Sequence, residues 1–452
     1  MKVSKFKCMV GALAVSLGLT GGAAWAESLA DALASAYKTS GLLEQNRALL
    51  RIADEDVAQA IAGLRPIVGY SAGMTYSSLT EDWVNSLNLT AQMTLYDFGK
   101  SQLAIDAAKE NVLATRERLV GVEQAVLQNA VTAYFDVIEA QAIVGLRASN
   151  VRLITQELRA AEDRFEVGEV TRTDVSQAQA LLAQARANEQ LAQGDLAAAR
   201  EAYKAVTGHY PENLHRPAQL PATATSIDAA RAVAREQHPS IKAAKRDVTV
   251  AEINIMRARA SMRPTLGASA SVGLTDDNPN DTIGLSLSGP IYQGGNLRSL
   301  ERVAAASRDA ARANLIQVVR TVEQSIGTAW STARVTTASI EATARQVRAA
   351  REAFSGVQEE ATLGARTTLD VLEAEQTLLN AQVSAIQAEL GRYRAVYSVL
   401  GAMGLLTVDH LGLNVPRYDP SAYYNAVKTA PLTRVSPQGE KLDRVLESLG
   451  KN

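Results

Sequence analysis

From Lys100 to Phe165 the chain runs without a proline. Ile105, Val112, Leu119 and Val126 recur every seven residues; the phase then slips by four and resumes as Val137, Val144, Val151, Leu158 and Phe165. A helix keeps a seven-residue apolar repeat on one side only by supercoiling against a neighbour, and a four-residue insertion relaxes that supercoil. At ~1.5 Å per residue such a helix is ~100 Å long, far more than a globular core can cover. A second stretch, Asn296 to Leu363, predicts another of similar length. The chain is therefore expected to build a rod of paired helices.

The returning partners are shorter. Residues 368 to 403 carry Leu369, Leu372, Gln376, Leu379, Val383, Ile386, Leu390, Tyr393, Tyr397 and Leu400 in a three-four pattern. Residues 172 to 207 carry Val175, Leu182, Leu196 and Tyr203, with Ala178, Ala185, Ala192, Ala199 and Val206 allowing close helix approach. Helices near 41 to 62 and 240 to 261 would complete the length end to end. Each long helix meets its partner at a turn: Gly168-Glu169-Val170-Thr171-Arg172-Thr173-Asp174-Val175, and 196 positions later Gly364-Ala365-Arg366-Thr367-Thr368-Leu369-Asp370-Val371. Glycine ends the incoming helix without a Cβ penalty and threonine caps the outgoing one. Thr171 with Asp174, and Thr367 with Asp370, have capping-box spacing. Two capped helix starts explain both turns, but not Glu373, a second acid one helical turn beyond Asp370 on the same face, with Arg366 in the adjoining turn.

Elsewhere the period drops to two. Val68, Tyr70, Ala72, Met74 and Tyr76 alternate with small or polar residues, as do Leu87, Leu89, Ala91, Met93 and Leu95. Leu266 to Leu274 and Ile283 to Ile291 repeat the pattern. These segments predict two β-hairpins, 66–96 and 264–292, each with one apolar face and one face of small polar residues. Their length suits tilted bilayer-spanning strands, and the polar face lacks the Lys and Glu of a soluble sheet. Four strands cannot close a barrel, and a bare edge in lipid leaves backbone groups unpaired, so the strands must be shared between subunits. Leu95-Tyr96-Asp97-Phe98-Gly99 and Ile291-Tyr292-Gln293-Gly294-Gly295 mark the strand-to-helix corners, with Tyr96, Gly99, Tyr292 and Gly295 as their key residues. Asp97-Phe98-Gly99 matches a kinase signature by chance.

Residues 1–26 read as a secretory signal: Lys2, Lys5 and Lys7, an apolar run from Cys8 to Leu19, then Ala24-Trp25-Ala26. Its removal takes the only cysteine and changes the formal net charge from −2 to −5, which argues against a nucleic-acid partner. No later apolar run is long enough for a membrane-spanning helix. The expected organisation is a first repeat over 27–225, with its tip at 166–174 and an irregular equatorial segment at 208–225. A second repeat covers 226–407, with its tip at 362–373. A Pro-rich equatorial segment and tail occupy 408–452, irregular to 436 and with a short amphipathic helix at 440–449. The expected fold class is mainly α with β: long paired coiled-coil helices forming an α-barrel, plus a four-stranded antiparallel contribution to a shared β-barrel.

With this architecture and the G-x-x-T-x-x-D-V tips, the chain resembles the TolC family of outer-membrane efflux proteins from about residue 28 to 420. The resemblance implies a homotrimer whose twelve transmembrane strands close one barrel in outer-membrane lipid, with the helices continuing it as a tunnel into the periplasm of a Gram-negative bacterium. It implies a passive exit duct for a tripartite efflux pump or type I secretion system, working with a periplasmic adaptor that docks at the tips around Gly168, Thr171, Gly364 and Thr367, and with an inner-membrane transporter of RND, ABC or MFS type. Carried over to matching positions, Arg366 resembles the arginine that clamps the inward-curling second tip to a neighbouring coil, Thr173 and Asp174 resemble its partners, and Asp370 and Glu373 match the two acidic rings at the narrowest point. The chain departs in having Glu at the second ring and Ala361 where an aromatic residue assists the clamp.

Three copies of Asp370 and Glu373 about one axis would attract cations and repel anions, and mutual repulsion would raise some of their pKa values. The plainer alternative leaves Asp370 as a cap and Glu373 as a solvated helix residue. A periplasmic coiled-coil scaffold or adaptor without a barrel would explain the helices but not the strands. Catalysis has no support in the sequence: His209, His215, His238 and His410 lack ligand spacing, and nothing predicts a cofactor or metal. The exported substrate is not encoded in any pattern the sequence displays.

Overall fold

The structure is a computed structural model that describes residues 27–78, 81–275 and 278–428, together with Arg444. The leader expected at 1–26 lies outside the described residues, as does the tail helix expected at 440–449 apart from Arg444. The elements run α1 (Leu29–Thr39), α2 (Gly41–Ala62), β1 (Ile67–Ser77), β2 (Asp82–Tyr96), α3 (Lys100–Glu166) and α4 (Arg172–Thr207). The same succession follows as α5 (Ile227–Gln237), α6 (Pro239–Ala260), β3 (Thr265–Thr275), β4 (Asn278–Ser288), α7 (Asn296–Thr362) and α8 (Thr368–Met403), and then α9 (Pro420–Val427).

Helices α3 and α7 have 67 residues each, and α4 and α8 have 36. A returning helix of that length accompanies its partner only from the tip to about midway. The other half is filled by α2 and α6. Towards the sheet the helices lie side by side as α2, α3, α6, α7; towards the tips the order is α4, α3, α8, α7. The heptad positions of α3 explain its packing: Ile105, Val112, Val126 and Val137 are buried, whereas Phe165, at the tip, is 43% exposed. The main core sits where α4 and α8 run out. There Tyr134 and Phe135 of α3 are wholly buried, Phe135 stacks on Tyr393 of α8 at 5.2 Å between ring centroids, and the irregular segments after α4 and α8 wrap around them. Tyr134 receives the N–H of His215, and its single O–H is shared between the backbone carbonyls of His215 at 2.5 Å and Glu27 at 3.0 Å, tying the first described residue to the belt that the segments after α4 and α8 form.

The strands form one antiparallel sheet in the order β1-β2-β3-β4. Its register separates an apolar from a small polar face. Val68, Ala91, Ala270 and Ile283 share a row on the apolar face, as do Tyr70, Leu89 and Val272, whose row ends on Asp281 of β4. On the other face Gly69, Thr90, Ser271 and Thr282 share a row, as do Ser71, Asn88, Gly273 and Asn280. At Gly273 a Cβ would meet Asn88 Oδ1 at 2.2 Å, so the amide of Asn88 occupies the space that the missing side chain leaves. The apolar face is bare, with Tyr70 83%, Ile283 92% and Leu285 74% exposed.

Three expectations need correction. The last strand ends at Ser288 rather than reaching Ile291, because Pro290 has no N–H for a ladder and Gly289 is packed against Pro264. The segment 408–436, expected to be irregular, contains α9. Pro420 takes the first helical position, where no N–H is needed, and Asp419 caps it by accepting from Ser421 N at 2.8 Å. In the apolar stripe of α8, Gln376 faces solvent while Glu375 is 5% exposed.

Candidate functional site at the helix-hairpin tips

Each tip is built by the same local chemistry. Helix α3 ends at Glu166 with Val167 as its cap, Gly168 takes φ of 82°, and Glu169 N donates back to Arg164 O at 2.9 Å; in the second tip Gly364 takes 78° and Ala365 N donates to Glu360 O at 2.9 Å. A left-handed residue there lets the turn satisfy carbonyls that a helix end would leave open. Thr171 and Thr367 then cap α4 and α8. In both, the threonine N–H and Oγ1 donate to the aspartate Oδ2 at 2.9 and 2.8 Å, and the aspartate N–H returns to Oγ1 at 3.3 Å.

These donors fix the electrostatics of the two aspartates. Backbone and hydroxyl hydrogen bonds from Thr171 and Thr367 hold the Asp174 and Asp370 carboxyls below the usual carboxylate range. The expected rise from mutual repulsion is thus not a property of Asp370 in a single copy, where its own cap dominates. Glu373 is exposed one turn further along α8, and Thr173 is exposed in the first turn of α4. Arg366 Nε donates to Glu360 Oε2 at 2.8 Å, within its own tip. A cleft of about 720 Å³ lies between the tips, lined by Arg164, Glu169, Thr171 and Asp174 from one and by Arg366 and Asp370 from the other. Val167 and Leu363 project from the two turns, 72% and 84% exposed. Ala361, at the position where the resemblance has an aromatic residue, is buried.

Spacing alone missed Asn150 and Glu375, a buried pair joining α3 to α8 at 2.6 Å. The signal was present: Glu375 interrupts the apolar series Leu372 and Leu379.

At the opposite end of the rod, the corners carry aromatic residues. Tyr96 packs against Phe98 with centroids 4.7 Å apart, and Arg263 lies over Phe98 at 5.7 Å. Gly99 and Gly295, both at φ of 84°, precede the long helices. Asp97 accepts from Gly99 N at 3.1 Å and Ser101 N at 2.7 Å; burial pushes its carboxyl up, but these donors outweigh it and hold it low. Tyr292 is 85% exposed. At the far end of the sheet Tyr76 and Trp83 pair at 5.4 Å. The apolar face is therefore bounded by aromatic side chains at both ends, the arrangement of strands that cross a bilayer. Among the described residues no helix is long and apolar enough to cross a membrane.

Comparison with known proteins agrees with this architecture. The family described as outer membrane efflux protein matches residues 32–209 and 230–405. The outer membrane efflux protein BepC of Brucella suis biovar 1 (strain 1330) is 35% identical over 432 residues, covering 93% of this chain and 95% of BepC. The outer membrane protein TolC of Escherichia coli (strain K12) is 28% identical over 449 residues, covering 91% and 88%. Among solved structures, the outer membrane protein VceC of Vibrio cholerae superposes with a TM-score of 0.72 at 23% identity, over 83% of this chain and 96% of VceC.

Proposed function

The chain belongs to the outer membrane efflux protein family and is an outer-membrane efflux channel subunit; from that premise we propose that three copies close into one conduit. The observation that carries the proposal is that the two flanks of the chain are unlike and incomplete. One flank is β1 with α2 and α4; the other is β4 with α7. Large apolar side chains stand exposed on both: Leu42, Leu49, Ile52 and Leu191 on the first, Leu300, Val303, Ile316 and Val335 on the second. Unlike flanks associate head to tail, and a head-to-tail contact that closes makes a ring. Three sheets of four strands would give a twelve-stranded barrel without an edge, and the helices would continue it as a tunnel. A soluble scaffold would leave the apolar face of the sheet in water, which disfavours that reading.

In the ring, the second tips would curl inward to shut the periplasmic end. Asp370 and Glu373 would face the axis as two acidic rings, and Arg366 would exchange Glu360 for Thr173 and Asp174 of the neighbouring copy. Opening would then be the swing of the α7/α8 hairpin away from the axis and from α3. The exposed Val167 and Leu363 offer apolar knobs for a periplasmic adaptor, which would couple the duct to an inner-membrane transporter. No step of this function needs catalysis or a cofactor.

Native mass measurement and cross-linking of the membrane-extracted protein test the assembly. Three subunits are expected, and any other count rejects the proposed conduit.

A further inference from the structure

Two helical turns above the second tip, a carboxyl is buried in an otherwise apolar seam. Glu375 of α8 is 5% exposed, and its Oε1 accepts from Asn150 Nδ2 of α3 at 2.6 Å. Asn150 is itself 5% exposed. The second oxygen of Glu375, Oε2, is buried without a hydrogen-bond partner among the described residues. Leu372, one turn nearer the tip, packs with Ile154 of α3 and with Ala178 and Leu182 of α4. The pair thus joins the two helical hairpins that the opening motion would separate.

We propose that Glu375 is a proton-sensitive positioning residue of the gate, holding α8 against α3 through Asn150 while it is neutral and releasing it when it ionises. The proposal rests on the gate reading above. An ionised carboxylate has acceptor sites for several donors, and this pocket supplies one; a buried charge so poorly met is costly. Burial pushes the Glu375 carboxyl up to about 7, Asn150 opposes the rise, and the like charge of Glu157 on α3 adds to it. The charged group that acts on it is Glu157 of α3, while α4 presents Ala178 and Leu182 to this seam. The packed seam therefore keeps a proton that an opened seam loses. Linkage gives the sign: the seam is firmest below the ordinary glutamate range and weakens as pH rises through neutrality.

The test uses the full-length protein in planar bilayers between pH 5 and pH 8. Wild type should be on the order of a hundredfold more open at pH 8 than at pH 5, since the carboxyl moves from its ordinary 4.5 to about 7 in the packed seam and each unit of that difference corresponds to a factor of ten. E375Q, which keeps the shape and cannot ionise, should stay in the low-conductance state throughout. A wild-type profile retained in E375Q overturns the proposal, and so does a wild type indifferent to pH, while cation selectivity in the same recordings would leave the acidic rings standing. If no channels form, the gate reading falls. Infrared difference spectra between the two pH values then decide on Glu375 alone. A protonated-carboxyl band lost on raising the pH that is weaker in E375Q than in wild type, with Asp54 accounting for the remainder, supports the buried acid, and equal bands in the two proteins reject it.

Discussion

Arg366 Nε lies 2.8 Å from Glu360 Oε2, so the arginine of the second tip is held by the helix that leads into that tip. Both side chains are about half exposed, with relative exposures of 50% and 52%, and an ion pair so solvated is easily exchanged. The pair therefore competes with any clamp that Arg366 makes to Thr173 and Asp174 of a neighbour. E360Q should free the arginine for the clamp and lower resting conductance, whereas R366S combined with T173A should raise it. Unchanged conductance in both variants would show that Arg366 takes no part in closure.

Asp370 spends Oδ2 on its cap, which leaves Oδ1 and the Glu373 carboxylate for the acidic rings proposed above. Replacing both with Ala should weaken cation selectivity, read as a reversal potential moving toward zero in a salt gradient. D370N should lose less, because Glu373 retains its charge. If the double variant stays as cation-selective as wild type, neither residue faces the ion path.

The belt should be the least forgiving part of the chain. Phe135 is wholly buried between Tyr134 and Tyr393. F135A should cost about 3–5 kcal/mol, the usual range for emptying an aromatic site in a packed core. A lowered denaturation midpoint in detergent is the expected readout, and a loss below ~1 kcal/mol would mean that the site collapses to fill the space.

Asp54 of α2 is fully buried beneath α9, with both oxygens unpaired among the described residues. Burial pushes its carboxyl up to about 7, with Arg116 pulling the other way and Glu55 adding to the rise. The folded chain thus holds a proton that the unfolded chain releases near pH 4, so stability falls as pH climbs from about 4 to about 7 and then levels off. D54N should flatten that slope and gain about 1–3 kcal/mol at pH 8. Parallel melting curves of wild type and D54N at pH 5 and pH 8 check it, and an equal pH slope in both would clear Asp54 of the effect.

Where one side chain pattern decided one element, the sequence was enough. The seven-residue repeat foretold α3, and the alternation from Val68 to Tyr76 foretold β1 and its bare apolar face. The Gly-Thr-Asp spacing foretold the caps, since a capping box needs only residues three apart. Readings failed where two answers fit one pattern. A three-four series through Leu372 and Leu379 admits position 375 or 376, and the series as read ran through Gln376; the buried amide of Asn150 reverses that choice from a different helix. Helix α9 was hidden because its eight residues are too few to show a period and Pro420 looked like a breaker. Its place is set by partners far away in sequence: Tyr423 donates to Glu55 of α2 at 2.6 Å, and the Arg116 guanidinium of α3 lies over Tyr424 at 5.4 Å. The arginine's attachment to Glu360 was equally invisible, because a family's arrangement in the closed assembly says nothing of what the side chain does in a lone copy.

Among the described residues no further strand pairs with β1 or β4, so each ends the sheet with a row of open backbone groups. If three copies close one barrel as proposed, a newly made copy is unfinished, and folding first and recruiting companions afterwards would leave both edges bare in lipid. On that proposal insertion would wait for the companions or happen together with them, and a lesion anywhere along the flanking helices should surface as failed delivery to the membrane well before it surfaces as a leaky or blocked pore.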